Sequence, residues 1–275
     1  MTAHWLILSI SRSHGVSAIY DAVEALAYPV KCLQYVPAER DSVYAESSCI
    51  VVNGPATAIE RLQLTRAWKP IGWCDRHVFA ASTLVRHWSE YALQQNFQLI
   101  SLKDLAKEKS RIFSALSIQD QVFARPDAHD KIFDGKLVTL AQFDAWQSQL
   151  LNDQIPPETL CLIGQPISID AEWRIVIRDG KVLTSSSYRV NGRFDKSVPA
   201  PSGAIEFAEH VAKAPFPNLP QMYVMDVCQT DGKYGIVEIG SINCSGFYGC
   251  DLHAVISAVS ELAVSDWKRL QLTNQ

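Results

Sequence analysis

The stretch MDVCQTDGKYGIVEIGSIN, residues 225–243, decides how this chain is read. Two apolar runs, Met222–Cys228 and Tyr234–Ile239, flank Asp231-Gly232-Lys233, which is the composition of a tight β-hairpin. Each run holds one carboxylate. Asp226 sits among Val224, Met225 and Val227, and Glu238 among Ile236, Val237 and Ile239. A polar group in a buried strand costs free energy unless it is paired or used. Two carboxylates on adjacent strands repel, and a hard divalent cation such as Mg²⁺ relieves that, taking carboxylate and amide oxygens and often nucleotide phosphates. Asn243, just past the second run, offers an amide. The competing reading is an amphipathic hairpin with two solvated carboxylates, and the stretch alone leaves both open. The metal reading carries a geometric condition. A two-residue turn at Asp231-Gly232 sets Val237 opposite Asp226, and a one-residue slip swaps the faces. The expectation is therefore a three-residue loop, or a bulge of equal effect, that sets Glu238 opposite Asp226 with Asn243 nearing the same side.

Two further segments place polar groups in apolar strands. In AEWRIVIRDGKVLTSSSYR, residues 171–189, Asp179-Gly180 between alternating runs signals a second hairpin. A two-residue turn puts Arg174 opposite Ser185 and Glu172 opposite Ser187. One face then carries Glu172, Arg174, Arg178, Lys181, Ser185, Ser187 and Arg189, the other Trp173, Ile175, Ile177, Val182 and Tyr188. The charged face either meets water or binds an anion through its arginine forks. In QVFARPDAHDKIFDGKL, residues 121–137, Arg125 ends an apolar strand and Lys131 follows a turn. Two spaced cations beside a glycine-containing loop can hold phosphates, although a loop lysine is ordinarily just solvated.

Outward from these segments, the first hundred residues alternate strands (Trp5–Ile10, Val30–Leu33, Cys49–Val52) with helices (Ser17–Ala27, Thr57–Trp68), an α/β pattern with a parallel sheet. A further helix is expected over Thr83–Asn96. The turn Ser11-Arg12-Ser13-His14-Gly15 matches neither a dinucleotide fingerprint nor a P-loop. Charged Lys103–Arg111 marks a boundary, giving domains 1–105 and 106–275. The second is α+β, with strands at 121–125, 136–139 and 160–163, the two hairpins, and helices at 140–151, 205–213 and 252–270. A chain of 275 residues fits one large or two linked domains. Its net charge of -4 lacks the basic field of a duplex nucleic-acid binder. No apolar run reaches membrane-spanning length, and no signal peptide is read at the start, so the expected location is the cytoplasm. The seven cysteines, odd in number and without CxxC or zinc-finger spacing, read as reduced thiols, with disulfides and structural zinc disfavoured.

The order of motifs carries a resemblance. FARPD with a following lysine and glycine, then EWR…DGKV, then Asp226 and VEIGSINCSGFYG resemble the ATP-grasp fold over about residues 110–260, with the preceding α/β region resembling a pre-ATP-grasp domain. The resemblance implies an α/β N-terminal domain followed by an α+β ATP-grasp domain of two subdomains. It implies ATP and Mg²⁺ as cofactors, and an ADP-forming ligase that joins a carboxylate to an amine through an acyl phosphate. The substrates would be a small-molecule or peptide carboxylate and an amine, with neither duplex nucleic acid nor membrane as partner. Asp226, Glu238 and Asn243 match the metal ligands, Arg125 a phosphate-binding lysine, and Lys131 the loop over the phosphates. Leu162–Ile167 matches the hinge that receives adenine, so Gln165 and Ile167 join Glu172 and Arg174 in the expected nucleotide site. Arg174 and Arg189 match basic positions near the γ-phosphate and acyl group. Two departures stand out: Gly240 sits where many relatives have asparagine two residues after the glutamate, and Arg125 replaces lysine. A degenerate nucleotide- or protein-binding module, and a kinase or nucleotidyltransferase, are the rival readings.

Overall fold

The structure is a computed structural model that describes residues 1–9, 14–34, 43–44, 48–130, 132–190, 193–194 and 198–273. The chain begins with β1 (His4–Leu8), α1 (His14–Ala25), β2 (Val30–Leu33), β3 (Cys49–Asn53), α2 (Ala56–Thr65) and β4 (Lys69–Ile71). The four strands form a parallel sheet in the order β2-β1-β3-β4. Its central strands run apolar over Trp5–Leu8 and Cys49–Val52 because both faces are covered. Leu6, Leu8, Ile50 and Val52 pack against Ile59 and Leu62 of α2. Trp5, Ile7 and Val51 pack against Ile19 and Val23 of α1 and against Val255 and Val259 near the C-terminus. Residues 11–13 of the turn after β1 lie outside the described residues.

The helix expected over 83–96 is shorter. α3 (Ala81–His87) ends at the fully buried Trp88. The following segment leaves the helical path because it pairs with a strand: Leu93 N donates to Ile236 O at 2.8 Å and Ile236 N to Tyr91 O at 2.7 Å. Next come β5 (Phe97–Ser101), α4 (Leu105–Leu116), β6 (Gln121–Pro126), β7 (Lys136–Thr139), α5 (Phe143–Asn152) and β8 (Leu160–Gly164). These strands form an antiparallel sheet, β5-β8-β6-β7, cored with α4 and α5 by Leu105, Ile112, Phe113, Phe143 and Trp146.

The remaining strands are β9 (Ala171–Arg178), β10 (Lys181–Val190), β11 (Arg193–Phe194), β12 (Met222–Thr230) and β13 (Lys233–Ser241). With α6 (Ser202–Val211) between β11 and β12, they make a five-stranded sheet, β11-β10-β9-β12-β13. One face packs on α6 through Trp173, Ile175, Tyr223 and Met225. The opposite face begins apolar, where Val176, Met222 and Val224 meet α7 (Leu252–Thr273), and turns polar toward Glu172, Arg174 and Asp226. Strand pairing and helix packing cross the position 105/106 expected as a boundary. β5 pairs with β8 across it, and α7 returns to pack on α1, β3 and β4. Among the described residues no helix is long and apolar enough to cross a membrane.

Candidate active site

The hairpin β12–β13 meets the geometric condition by a bulge. Thr230 pairs with Lys233, so the turn is the two-residue Asp231-Gly232, both with positive φ (49° and 74°), which the Asp-Gly pair accepts. Val227 then faces Ile236 while Asp226 faces Glu238, which leaves Val237 as the extra residue. Continuing across the sheet, Asp226 stands opposite Arg174, and Arg174 opposite Ser186. One lateral row thus reads Ser186, Arg174, Asp226, Glu238.

The β9–β10 register differs from expectation. Its turn has two residues, but shifts between Val182 and Thr184 and between Ser187 and Arg189 break the pairing. Arg174 therefore faces Ser186 rather than Ser185, and Glu172 faces Arg189 rather than Ser187. Ser185 and Ser187 leave the arginine face; Ser185 Oγ instead accepts from Ala200 N at 3.0 Å. Tyr188, expected beside Trp173, lies on the arginine side, its ring 4.7 Å from that of Tyr248.

Arg174 is the centre of the row. Its Nε donates to Asp226 Oδ1 at 2.7 Å, its Nη2 to Asp226 Oδ2 at 2.5 Å and its Nη1 to Gly246 O at 2.6 Å, while its guanidinium carbon sits 4.8 Å from the Tyr248 ring centre. Both side chains of the pair are 5% exposed. Burial opposes the charge on Arg174, but the charge and hydrogen bonds of Asp226 outweigh it, so the guanidinium pKa is raised. Burial also pushes the Tyr248 phenol up, against the pull of Arg174. Glu238 joins two arginines from the two sheets. Its Oε2 accepts from Arg125 Nη2 at 3.0 Å, and its Oε1 lies 3.7 Å from Arg174 Nη2.

Two cavities meet at Arg125. One, about 300 Å³, lies between the antiparallel sheets and is mostly apolar, walled by Leu84, Phe123, Leu162, Ile167, Ile236 and Val237. The other, about 370 Å³, is the more polar of the two and is lined by Arg174, Glu238, His129, Cys244 and Tyr248 among others, with Arg125 shared. Of the expected hinge, Leu162 and Ile167 line the apolar cavity, whereas half-buried Gln165 lines neither. Arg189 is exposed, 5.3 Å from the Tyr188 ring, and lines neither cavity. Lys131 lies outside the described residues. Glu172 is buried without a hydrogen bond to any described donor. Burial first, then the charges of Asp226 and Glu238, push its carboxyl up to about 7, against Arg189 and Arg174.

Of the expected Mg²⁺ trio, Asp226 and Glu238 stand opposite each other, while Asn243 is directed elsewhere. Asp226 is closed off behind Arg174. Asn243 is turned to the N-terminal sheet: its Nδ2 donates to Val52 O at 2.8 Å and its Oδ1 accepts from Trp73 N at 2.9 Å. Its backbone carbonyl accepts from Asn53 Nδ2 and Gly54 N. Asn243 is therefore a tie between domains, and the repulsion between Asp226 and Glu238 is relieved by arginines. Of the three, only Glu238 lines either of these two cavities, so in this arrangement it is the carboxylate placed to hold a cation there.

A cluster that sequence spacing does not reveal sits at the rim of the polar cavity. Cys74 Sγ lies 3.4 Å from His129 Nε2 and 3.9 Å from Cys244 Sγ, and the three donor atoms are all within 4.8 Å of one another. The hydrogen bond with Cys74 draws the Cys244 thiol pKa down and raises that of Cys74. Burial works to lower His129, but its hydrogen bond and charge interaction with Cys244 prevail and its pKa is raised.

Two antiparallel α+β subdomains closing on a nucleotide-sized cleft, preceded by a small parallel α/β domain, define an ATP-grasp protein. Residues 100–258, more than half of the chain, match an ATP-grasp domain family, the second family of its clade, and the chain belongs to that family. No functionally curated protein matches it. Among solved structures it is similar to the D-cycloserine synthetase DcsG, at 12% identity and TM-score 0.63 over 95% of this chain and 99% of that one. It is also similar to D-alanine–D-alanine ligase from Bacillus anthracis complexed with ATP, at 14% identity and TM-score 0.60 over 98% and 99%. A third, the ATP-grasp ligase PsnB complexed with a minimal precursor, matches at 10% identity and TM-score 0.54 over 95% and 99%. At these identities the likeness is one of fold.

Proposed function

We propose that this protein is an ATP-dependent, ADP-forming ligase that joins a carboxylate to an amine through an acyl phosphate. The observation that carries the reading is Arg125, held by Glu238 at the junction of an apolar and a polar cavity. The apolar cavity suits an adenine ring between Leu162, Ile167 and Ile236, and the polar cavity suits the acceptor carboxylate. The triphosphate then crosses Arg125, and a second cation, Arg174, waits in the polar cavity. Mg²⁺ carried in with the triphosphate would be held by Glu238 and would neutralise phosphate charge.

Phosphoryl transfer asks mainly for positioning and charge neutralisation. The substrate carboxylate oxygen attacks the γ-phosphorus as the bond to the ADP oxygen breaks. Arg125 and Arg174 stabilise the charge that develops, and Arg174 needs little reorganisation because Asp226, Gly246 and Tyr248 already fix it. The amine nitrogen then attacks the acyl carbon, phosphate leaves, and the amine loses a proton. A nucleotide-binding module without turnover is the second reading, favoured by the commitment of Asp226 and Asn243 to other partners.

The test is an ADP-release assay against pooled amino acids and peptides. Release is expected only when both a carboxylate and an amine are supplied, and Arg125→Ala should slow it roughly 100-fold. AMP or pyrophosphate as product refutes the ligase. A thermal shift with MgATP but no turnover with any pool establishes the binding module in its place.

A further inference from the structure

From the cluster at the rim of the polar cavity we infer that Cys74, His129 and Cys244 form a binding site for a thiophilic divalent cation, of the Zn²⁺ class, whose fourth coordination position opens into that cavity. The inference is independent of the ligase reading. It rests on donor type, spacing and placement.

A tetrahedral Zn²⁺ has Zn–S distances of about 2.3 Å and Zn–N distances of about 2.0–2.1 Å, which set S···S near about 3.8 Å and S···N near about 3.6 Å. The observed edges are 3.9 Å for Cys74 to Cys244 and 3.4 Å for Cys74 to His129 Nε2. Two edges of a zinc tetrahedron are therefore already in place, and the third, Cys244 to His129, lies within 4.8 Å. A disulfide between the two cysteines would need the sulfurs at about 2.05 Å, so both are free thiols. Two thiols and an imidazole select Zn²⁺ over Mg²⁺, which prefers oxygen. With Nε2 on the metal, the imidazole proton rests on Nδ1, which is buried and has no partner among the described groups.

The placement gives the site its consequence. Cys74 follows β4 in the N-terminal domain, His129 follows β6 in the first antiparallel sheet, and Cys244 follows β13 in the second. A bound ion would pin all three bodies together. His129 and Cys244 line the cavity that holds Arg125, Arg174 and Glu238, so the open position points to a space where a carboxylate ligand of the metal can enter. Binding requires both thiols to lose their protons, so affinity rises with pH.

The test uses the full chain, metal-stripped and reduced, titrated with Co²⁺ as a spectroscopic stand-in and with Zn²⁺ against a chromogenic chelator. One ion per chain is expected, with thiolate-to-cobalt charge-transfer bands and the visible bands of a tetrahedral site. Cys244→Ser and His129→Gln should each weaken Zn²⁺ binding by more than the roughly 10- to 100-fold that loss of an outer hydrogen-bond partner costs. Cys32→Ser, at an exposed cysteine remote in sequence from all three, should leave stoichiometry and spectrum unchanged. His129→Gln removes a half-buried loop side chain, which keeps the test available should the cysteine variant fail to fold. Absence of thiolate–cobalt bands in the wild type, retention of full affinity in His129→Gln, or recovery of a Cys74–Cys244 disulfide from the reduced, repurified protein would each overturn the site.

Discussion

Replacing Arg174 with methionine should destabilise the protein by about 3–5 kcal/mol, because it strands a buried carboxylate. Asp226 receives two short hydrogen bonds from Arg174, and its side chain is 5% exposed, so water has little access to take over. The same change also strips Gly246 O of its donor and removes the cation from the Tyr248 ring, each adding to the loss. Asp226→Leu alone should cost less, since Arg174 keeps Gly246 O and the nearby Glu238. The double variant Arg174→Met/Asp226→Leu removes both charges and fills the space with apolar atoms, and such replacements are often neutral or better. The double cost should therefore fall well below the sum of the single costs, by at least about 2 kcal/mol. Urea unfolding followed by tryptophan fluorescence, with comparable m-values across the four proteins, reads the cycle. Single costs under about 1 kcal/mol, or additivity within about 0.5 kcal/mol, would show that the pair is not desolvated as described and that Arg174 is not held in place for catalysis.

Glu172 should make stability fall as pH rises. Its carboxyl is pushed from 4.5 to about 7, so between those values the folded chain keeps a proton that the unfolded chain has lost. Stability is full below about 4.5, declines through the window, and is lower by about 3 kcal/mol above 7. The groups facing it are Asp226 and Glu238, which deepen the effect, and Arg189 and Arg174, which reduce it. Glu172→Gln should flatten that stretch of the urea-midpoint profile, and an unchanged slope would rule out the buried acid. In the native, metal-free protein, thiol titration should find exposed Cys32 and half-buried Cys244 reacting ahead of the other five. Burial holds Cys161, Cys228 and Cys250 up at about 12 and Cys49 at about 11. All seven should react after denaturation without reductant, and recovery of five or fewer would mean a disulfide.

Much of the fold is legible because its strands are locally distinctive. A parallel strand covered on both faces must be apolar at every position, and Ile50-Val51-Val52 can hardly be anything else. What local pattern misses is decided by partners far away in sequence. Trp88, Tyr91 and Ala92 have helical spacing, yet the chain opens after His87 because Tyr91 and Leu93 find backbone partners on Ile236. Asn243 looks like a ligand in its own segment. Its amide is spent on Val52 and Trp73, almost two hundred positions away, and nothing near residue 243 announces this. The Cys74–His129–Cys244 cluster is hidden for the same reason, since each donor comes from a different sheet's loops.

The hairpins show where a register can be inferred and where it cannot. Both Asp-Gly turns are readable, because two successive positive-φ residues need that chemistry. Bulges have no such requirement, and Leu183, Tyr188 and Val237 are ordinary strand residues. The bulge at Val237 could nevertheless be anticipated, because a slip there separates Asp226 from Glu238 and the polarity of the face changes with it. On β10 a slip exchanges Ser185 for Ser186 and Ser186 for Ser187. A serine run is unchanged by a one-residue shift, so burial pattern cannot report it. Only the third dimension selects Ser186 for the Arg174 row, through Gly249 N, which donates to its Oγ at 3.0 Å. The second irregularity, at Tyr188, sets Arg189 opposite Glu172 and brings the Tyr188 ring onto Tyr248, whose ring lies against the Arg174 guanidinium. The two shifts add, so the middle of β10 stands one residue and its far end two residues out of the register the turn sets, and the second shift returns Arg189 to the face that carries Arg174. That middle is the part that abuts the guanidinium, so the shape of the site resides in the positions where the strand pattern carries least information.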